Sequence, residues 1–189
     1  MRGAEAVLRR SSLAGMRCVI KSRVAKGYRV GALDKRLRAE RTRGEARLLH
    51  RAKEAGVPCP TVLEAWEYDL TLSLIEGKRP RMGKRECAEA GRLLAKLHSA
   101  DIIHGDYTPA NLMEAEGGVI HVIDFGLGYV SNDVEDKAVD VFTMQMALKN
   151  EDGGEGALEA FLGGYGGYSK ADAVLRRVKA VEKRVRYAF

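Results

Sequence analysis

Two short runs hold the residues best suited to chemistry: His104-Gly105-Asp106-Tyr107-Thr108-Pro109-Ala110-Asn111-Leu112 and Ile123-Asp124-Phe125-Gly126. An aspartate, an asparagine five residues later, and a second aspartate after a β-rich run form a constellation suited to phosphoryl transfer. The moving γ-phosphoryl group carries charge that must be screened, so a carboxylate and an amide oxygen are needed to hold a divalent metal. Asn111 and Asp124 suit that role toward Mg2+, and Asp106 suits the orienting of an attacking hydroxyl or water. Either run alone recurs by chance. HGDxxxxN followed by DFG, with thirteen residues from Asn111 to Asp124, is far more specific. The competing account makes Asp106 and Asp124 loop caps and Asn111 a turn residue.

Such a site also needs a lysine for the α- and β-phosphates and a helix glutamate to hold that lysine. Lys21 ends the β run Cys18-Val19-Ile20, and Glu45 is one of the few acids in a long arginine-rich segment. The plainer alternative for Glu45 is a surface ion pair one helical turn away.

The elements that must position these groups follow from pattern. Residues 1–32 alternate short apolar runs (Ala6-Val7-Leu8, Cys18-Val19-Ile20, then Tyr28) with glycine and charge, which predicts short antiparallel strands. A helix is predicted from Leu33 to Ala55, ended by Gly56 with Pro58 beyond, with Leu48, Leu49 and Ala52 as its apolar stripe and most arginines outward. Strands are predicted over Thr61–Tyr68, Leu70–Ile75 and Val119–Asp124. Helices are predicted over Lys84–Ser99, Asp136–Lys149, Gly156–Leu162 and Lys170–Tyr187. In the last helix Val174, Val178, Val181 and Val185 recur at packing spacing. Strands first and helices second is an α+β, two-lobe pattern, with the boundary near Glu76–Pro80: an N-lobe of 1–77 and a C-lobe of 78–189.

The sequence resembles the small atypical kinase subunit of the KEOPS complex. The likeness runs from Lys21 through Tyr28-Arg29, Leu33-Asp34, Arg41-Thr42-Arg43 and Glu45-Ala46-Arg47 to His104–Met113, Ile123–Gly128 and Glu135-Asp136-Lys137-Ala138-Val139-Asp140. It implies a miniature protein-kinase-like fold, ATP and Mg2+ as cofactors, and ATPase activity with Ser/Thr autophosphorylation as a side activity. It also implies work beside a tRNA-threonylcarbamoyladenosine synthesis subunit and other KEOPS subunits. By the same resemblance, Gly3 in Gly3-Ala4-Glu5-Ala6 stands where larger kinases carry a glycine-rich loop. Leu74-Ile75-Glu76-Gly77 is the hinge whose backbone meets the adenine edge. The family usually has His-Pro after the Tyr-Arg pair, where this chain has Val30-Gly31.

Two other candidates fall away. Gly77–Lys84 superficially resembles a phosphate-binding loop, but five residues rather than four separate Gly77 from Gly83, and Arg85 stands where Ser or Thr is required. His98 and His104 lack the spacing of a helical metal pair, and His104 is expected to position the catalytic loop.

Composition bounds the rest. The chain has 189 residues and a net charge of +6, enough for one compact domain or two small lobes. Three scattered cysteines exclude a disulfide framework and suggest a reducing interior, and no apolar run is long enough to span a membrane. The expected location is the cytoplasm. Residues 1–60 hold 16 Lys/Arg against 5 Asp/Glu, residues 61–175 hold 10 against 20, and residues 176–189 hold 6 against 1. The basic helix around Arg36, Arg38, Arg41, Arg43 and Arg47 and the basic tail from Arg176 to Arg186 therefore suit contact with a polyanion, which the resemblance implies is tRNA. The alternative is that the tail pairs with the acidic middle. Only sixteen residues separate Asp124 from Asp140, without Ala-Pro-Glu, so the activation segment is short and offers little platform for peptides. The competing functions are a small-molecule phosphotransferase of the aminoglycoside-kinase kind, disfavoured by the short C-lobe, and a non-catalytic pseudokinase scaffold.

Overall fold

A computed structural model describes residues 6–28, 30–149 and 156–186. Gly3 and Arg29 lie outside the described residues. The chain opens with a four-stranded antiparallel sheet in the order β1-β2-β4-β3, made of β1 (Ala6–Leu13), β2 (Met16–Arg23), β3 (Val62–Ala65) and β4 (Asp69–Ser73). The β1–β2 hairpin turns on Ala14 and Gly15, both at positive φ, the geometry whose twist matches the flanking strands. Tyr28 does not form the further short strand expected of it. It sits in a turn, and the loop there is tied to the next helix by Lys26 N–H donating to Asp34 Oδ1 at 3.2 Å.

That helix, α1 (Gly31–Glu54), begins two residues earlier than its apolar pattern suggests. Gly56 ends it at φ 71°, with the Val57 N–H reaching back to the Ala52 carbonyl in the manner of a Schellman cap. Leu48, Leu49 and Ala52 are buried as expected, and Arg36, Arg43 and Arg47 face solvent. Arg38 departs from the outward pattern: it pairs with Asp34 and lies 3.9 Å from the centre of the Tyr68 ring.

Past residue 76 the chain is mostly helical: α2 (Lys84–Ser99), α3 (Val134–Leu148), α4 (Ala157–Tyr165) and α5 (Ala171–Arg186). A small sheet joins β5 (Gly77–Lys78), β7 (Leu112–Ala115) and β8 (Ile120–Val122), and β6 (Ile102–Ile103) pairs with β9 (Tyr129–Val130). The whole is α+β, with a β-rich N-terminal part and a largely helical C-terminal part. The short strands β5, β6, β7 and β9 have no periodic signal of their own, because two to four residues are too few to show one. Asp133 caps α3 by accepting from the Glu135 N–H at 2.8 Å, which starts that helix before the predicted Asp136.

The helical part is organised around α2. Leu93, Leu94 and Leu97 are fully buried, and α4 crosses α2 at backbone contact. A Cβ on Gly91 would stand 2.1 Å from the Phe161 carbonyl oxygen, and one on Gly164 would stand 2.1 Å from the Ala88 carbonyl oxygen. α4 extends to Tyr165, past the end expected at Leu162, and so carries Gly164 into this reciprocal contact. The helix α5 buries Val174, Val178 and Val181, and its Arg177 and Arg184 both bond to Glu135 on α3. Two of the tail's cations thus pair inside the chain, as the intramolecular alternative supposed. Among the described residues no helix is long and apolar enough to cross a membrane.

The glycine crossing makes a directional prediction. Gly91→Ala must push two helix backbones apart, so it is expected to cost roughly 1–3 kcal/mol, lowering Tm by roughly 3–10 °C. Gly163→Ala, where a Cβ meets nothing within 4 Å, is expected to hold or slightly raise Tm. Thermal melts of the two variants check this.

Candidate active site

A cleft of about 630 Å³ lies between the four-stranded sheet and the loops that follow β6 and β8. Val19, Leu72, Met113 and Ile123 give it apolar walls, and Lys21, Glu45, Asp106, Asn111 and Asp124 all face into it. Five residues spread over a hundred positions of chain are thus brought to one cavity, and the reason lies in local structure. The alternation of β2 turns Lys21 inward, where it is 7% exposed. Glu45 lies on the buried face of α1. Lys21 Nζ donates to Glu45 Oε1 at 2.7 Å and to Asp124 Oδ1 at 2.7 Å. Glu45 is therefore not the surface ion pair that its neighbours in sequence would allow.

Asp124 follows β8 at φ 61°, a left-handed conformation uncommon for a residue with a side chain. The Gly126 N–H donates back to its Oδ1 at 3.1 Å. Burial alone would raise this carboxyl. The Lys21 ammonium and the Gly126 N–H outweigh burial and hold it below the usual carboxylate range.

Asp106 precedes a short 3-10 turn at Pro109–Asn111, whose last residue is Asn111. Asn111 Nδ2 donates to the Asp106 carbonyl at 2.8 Å and to Asp106 Oδ2 at 2.9 Å. With both amide protons engaged, Asn111 Oδ1 is left as an acceptor for a cation. Among the described residues no group of three His, Cys, Asp or Glu is placed to hold a metal ion by itself. One amide oxygen and one half-exposed carboxylate nonetheless fit Mg2+, which takes few protein ligands and keeps positions for water and phosphate oxygens.

The loop that carries Asp106 is held by Asp140, whose importance sequence reasoning missed. It belongs to the Glu135–Asp140 run on α3 and is 1% exposed. Its Oδ2 accepts the His104 backbone N–H at 2.7 Å, and its Oδ1 accepts that of Gly105 at 2.9 Å. Gly105 is at φ 80°, and a Cβ there would stand 2.4 Å from the Leu127 carbonyl oxygen, so only glycine lets this loop pass beneath the segment after Asp124. His104, fully buried, donates from Nε2 to the Ile123 carbonyl at 3.1 Å and accepts the Asp106 N–H at Nδ1, 3.4 Å. It thus ties the Asp106 loop to the strand before Asp124, as expected of a positioning group. His98 donates from Nε2 to Asp140 Oδ2 at 3.3 Å and accepts from the Tyr165 hydroxyl at Nδ1, 2.7 Å. Lys137, 1% exposed, meets Asp101 at 2.6 Å and the Tyr168 hydroxyl at 2.9 Å.

Arg23 also escaped the sequence reading. Its Nη2 stands 2.6 Å from Glu45 Oε2, and it lines the cleft. The signal that could have found it is its position two residues past Lys21, on the same face of the strand. Leu74 and Ile75 line the cleft, while the Glu76 carboxylate turns to Arg17, with Oε2 2.6 Å from Nη2.

No family model matches the chain. It is 40% identical over 172 residues to a probable serine/threonine-protein kinase BUD32 homolog of Archaeoglobus fulgidus, covering 89% of this chain and 88% of that one. It is 38% identical over 195 residues to a probable bifunctional tRNA threonylcarbamoyladenosine biosynthesis protein of Methanosarcina mazei, covering 98% of this chain and 35% of that protein. The chain therefore spans about a third of the length of such bifunctional relatives. In structure it resembles the Rio2 kinase of Chaetomium thermophilum, solved as an ADP/Mg2+-phosphoaspartate complex, with a TM-score of 0.65, 15% identity, and coverage of 100% of this chain and 70% of that one. That likeness is one of fold.

The two buried imidazoles set an acid limit on stability. Burial pulls both His98 and His104 below the ordinary imidazole value, although Asp140 acts in the opposite sense on each. The unfolded chain takes up protons at these rings from roughly pH 6.5 downward, while the folded chain resists until lower pH. Stability is therefore expected to fall as pH drops below about 6.5. Denaturant melts from pH 7.5 to 5 check this, and His98→Gln is expected to flatten the slope.

Proposed function

The chain belongs to the BUD32 family of small atypical kinases, and from that premise we propose that it is an ATP-hydrolysing, phosphoryl-transferring subunit supporting tRNA threonylcarbamoyladenosine synthesis in a KEOPS-type complex. The observation that carries the reading is Lys21, held at 2.7 Å by both Glu45 and Asp124 across the cleft from the Asp106–Asn111 pair. In this reading Lys21 meets the α- and β-phosphates and Glu45 fixes its ammonium. Asn111 Oδ1 and Asp124 would hold Mg2+, which supplies screening of charge on the β- and γ-oxygens. Asp106 orients the acceptor hydroxyl and takes its proton, and its own Oδ2 is fixed for that task by the Asn111 amide.

The apolar walls at Val19, Leu72, Met113 and Ile123 suit the adenine ring, with Leu74 and Ile75 of the expected hinge at its edge. Glu76 then serves through its main chain, since its carboxylate is taken by Arg17. Gly3 is retained as the counterpart of the glycine-rich loop on the strength of the family pattern. The short connection from Asp124 to α3 leaves little docking platform for a peptide, which favours water, or the chain's own Ser and Thr hydroxyls, as acceptor. The setting is the cytoplasm, in keeping with three buried free thiols, of which burial pushes Cys59 and Cys87 up to about 11.

Partner contacts follow from charge. The family reading puts a tRNA-threonylcarbamoyladenosine synthesis subunit and tRNA beside this chain. Arg43 and Arg47 on α1, with Arg176, Lys179 and Lys183 on α5, face solvent and suit phosphate contact. Arg177 and Arg184 are engaged with Glu135 and are assigned to the fold instead.

The deciding experiment is Mg2+-dependent ATP turnover by the full chain, alone and with the synthesis subunit and tRNA. Asp106→Asn is expected to lower turnover by roughly a hundredfold or more while leaving ADP binding nearly unchanged. Asp124→Ala is expected to abolish the Mg2+-dependent part. Turnover by Asp124→Ala at the wild-type rate with the same Mg2+ dependence would reject the assignment. Turnover that required an aminoglycoside-like small molecule would favour the phosphotransferase alternative, and nucleotide binding without any turnover would favour a scaffold. For the tRNA surface, affinity is expected to fall steeply with salt, and replacing Arg43 and Arg47 with Ala should lower the slope of log K against log salt by roughly two. The same measurement on Arg177→Ala should show an unchanged slope.

A further inference from the structure

Arg23 lines the cleft, yet the reaction as proposed gives it no task. It follows Lys21 by two residues on β2, and the alternation of a strand puts both cations on the face that looks inward. Its side chain is only 4% exposed. Arg23 Nη2 holds Glu45 Oε2 at 2.6 Å while Lys21 Nζ holds Glu45 Oε1 at 2.7 Å, so the glutamate is gripped by both oxygens. A Cβ on Gly126 would lie 3.3 Å from Arg23 Nη2 and 3.4 Å from Lys21 Nζ. Both cations therefore end beside the backbone that follows Asp124.

We infer that Arg23 is a positioning residue for the nucleotide phosphates, acting through Glu45 to leave the charge of Lys21 available to them. The inference rests on the reading of the cleft as an ATP site. Its basis is the formal charge of the cluster. Lys21, Arg23, Glu45 and Asp124 together sum to zero. Once Asp124 serves Mg2+, the remaining three carry one positive charge toward the polyphosphate. Without Arg23 the pair Lys21–Glu45 is neutral, and the phosphates meet no net attraction from that wall. In a desolvated site one unit of charge matters far more than it does in water.

Arg23 has a second effect. Because it occupies Oε2, Lys21 can be drawn toward a phosphate without leaving a buried carboxylate bare, a situation proteins tolerate poorly. A guanidinium suits this task better than an ammonium, being always charged and rigid in its fork.

The test is nucleotide binding by the full chain, with adenosine and Mg2+–ADP titrated against wild type, Arg23→Lys, Arg23→Met and the double variant Arg23→Met/Glu45→Gln. Arg23→Met is expected to weaken ADP roughly tenfold while adenosine stays within about twofold, the tenfold corresponding to ~1.4 kcal/mol. Arg23→Lys should fall between wild type and Arg23→Met, and it carries the test if Arg23→Met does not fold. The double variant restores one net positive charge and should bind ADP more tightly than Arg23→Met alone. Equal loss of adenosine and ADP affinity would mean a merely structural role and overturn the inference. So would wild-type ADP affinity in Arg23→Met, or an undiminished loss in the double variant, which would indicate direct phosphate contact. If wild type itself fails to bind Mg2+–ADP, it is the ATP-site reading that falls.

Discussion

The site is built on a carboxylate that cannot be buried alone. Glu45 has a side chain only 2% exposed, and an isolated ionised carboxylate in such a place would cost several kcal/mol. Its two oxygens are matched by two cations from one strand, and one of these reaches on to Asp124. This requirement joins β2, α1 and the loop after β8 into a single arrangement. Each element is held where another's charge needs it. The sheet and helix of the N-terminal part are thus oriented by electrostatics at the cleft as well as by the apolar stripe of α1 beneath it.

A second buried carboxylate does the same for the opposite wall. Asp140 accepts two consecutive backbone N–H groups of the loop that carries Asp106, and the Nε2–H of His98. The loop must leave β6 sharply, with Gly105 in the left-handed region, so its N–H groups cannot join a regular ladder and need a partner. The carboxylate on α3 supplies one. Asp106 and Asn111 then lock to each other, and His104 ties their loop to the strand before Asp124. The geometry of the candidate site is in this way fixed from the buried helical core.

That core is economical. Backbone contact at Gly91 and Gly164 lets α2 and α4 approach more closely than larger residues allow, and buried tyrosines and Lys137 satisfy one another's polar ends against Asp101 and His98. The aromatic pairs among His98, Tyr165 and Tyr168 fill the space between. These contacts form a closely packed base beneath the site.

Much of this was legible in the residues themselves. The HGDxxxxN and DFG runs stood out as a candidate site because Asp106, Asn111 and Asp124 lie close in sequence on loops whose spacing is constrained by the turn and strand between them, and all three line the cleft. The long helices were legible because Leu48, Leu49 and Ala52, or Val174, Val178 and Val181, repeat at the helical period over several turns. Lys21 and Glu45 could be nominated, but the sequence left a surface pair open for Glu45, since its arginine neighbours offer one. Only the folded chain decided for Lys21, because a contact across 24 residues depends on how α1 lies against β2. Arg23 and Asp140 were illegible for the same reason. A buried charge is defined by what surrounds it, and those surroundings come from four elements distant in sequence. The glycine crossing of α2 and α4 and the two-residue strands depend likewise on approach between backbones, for which local periodicity carries no information. Local pattern thus determined the elements and the reactive groups, and tertiary packing decided which charges meet, because desolvation acts only once the chain has closed around them.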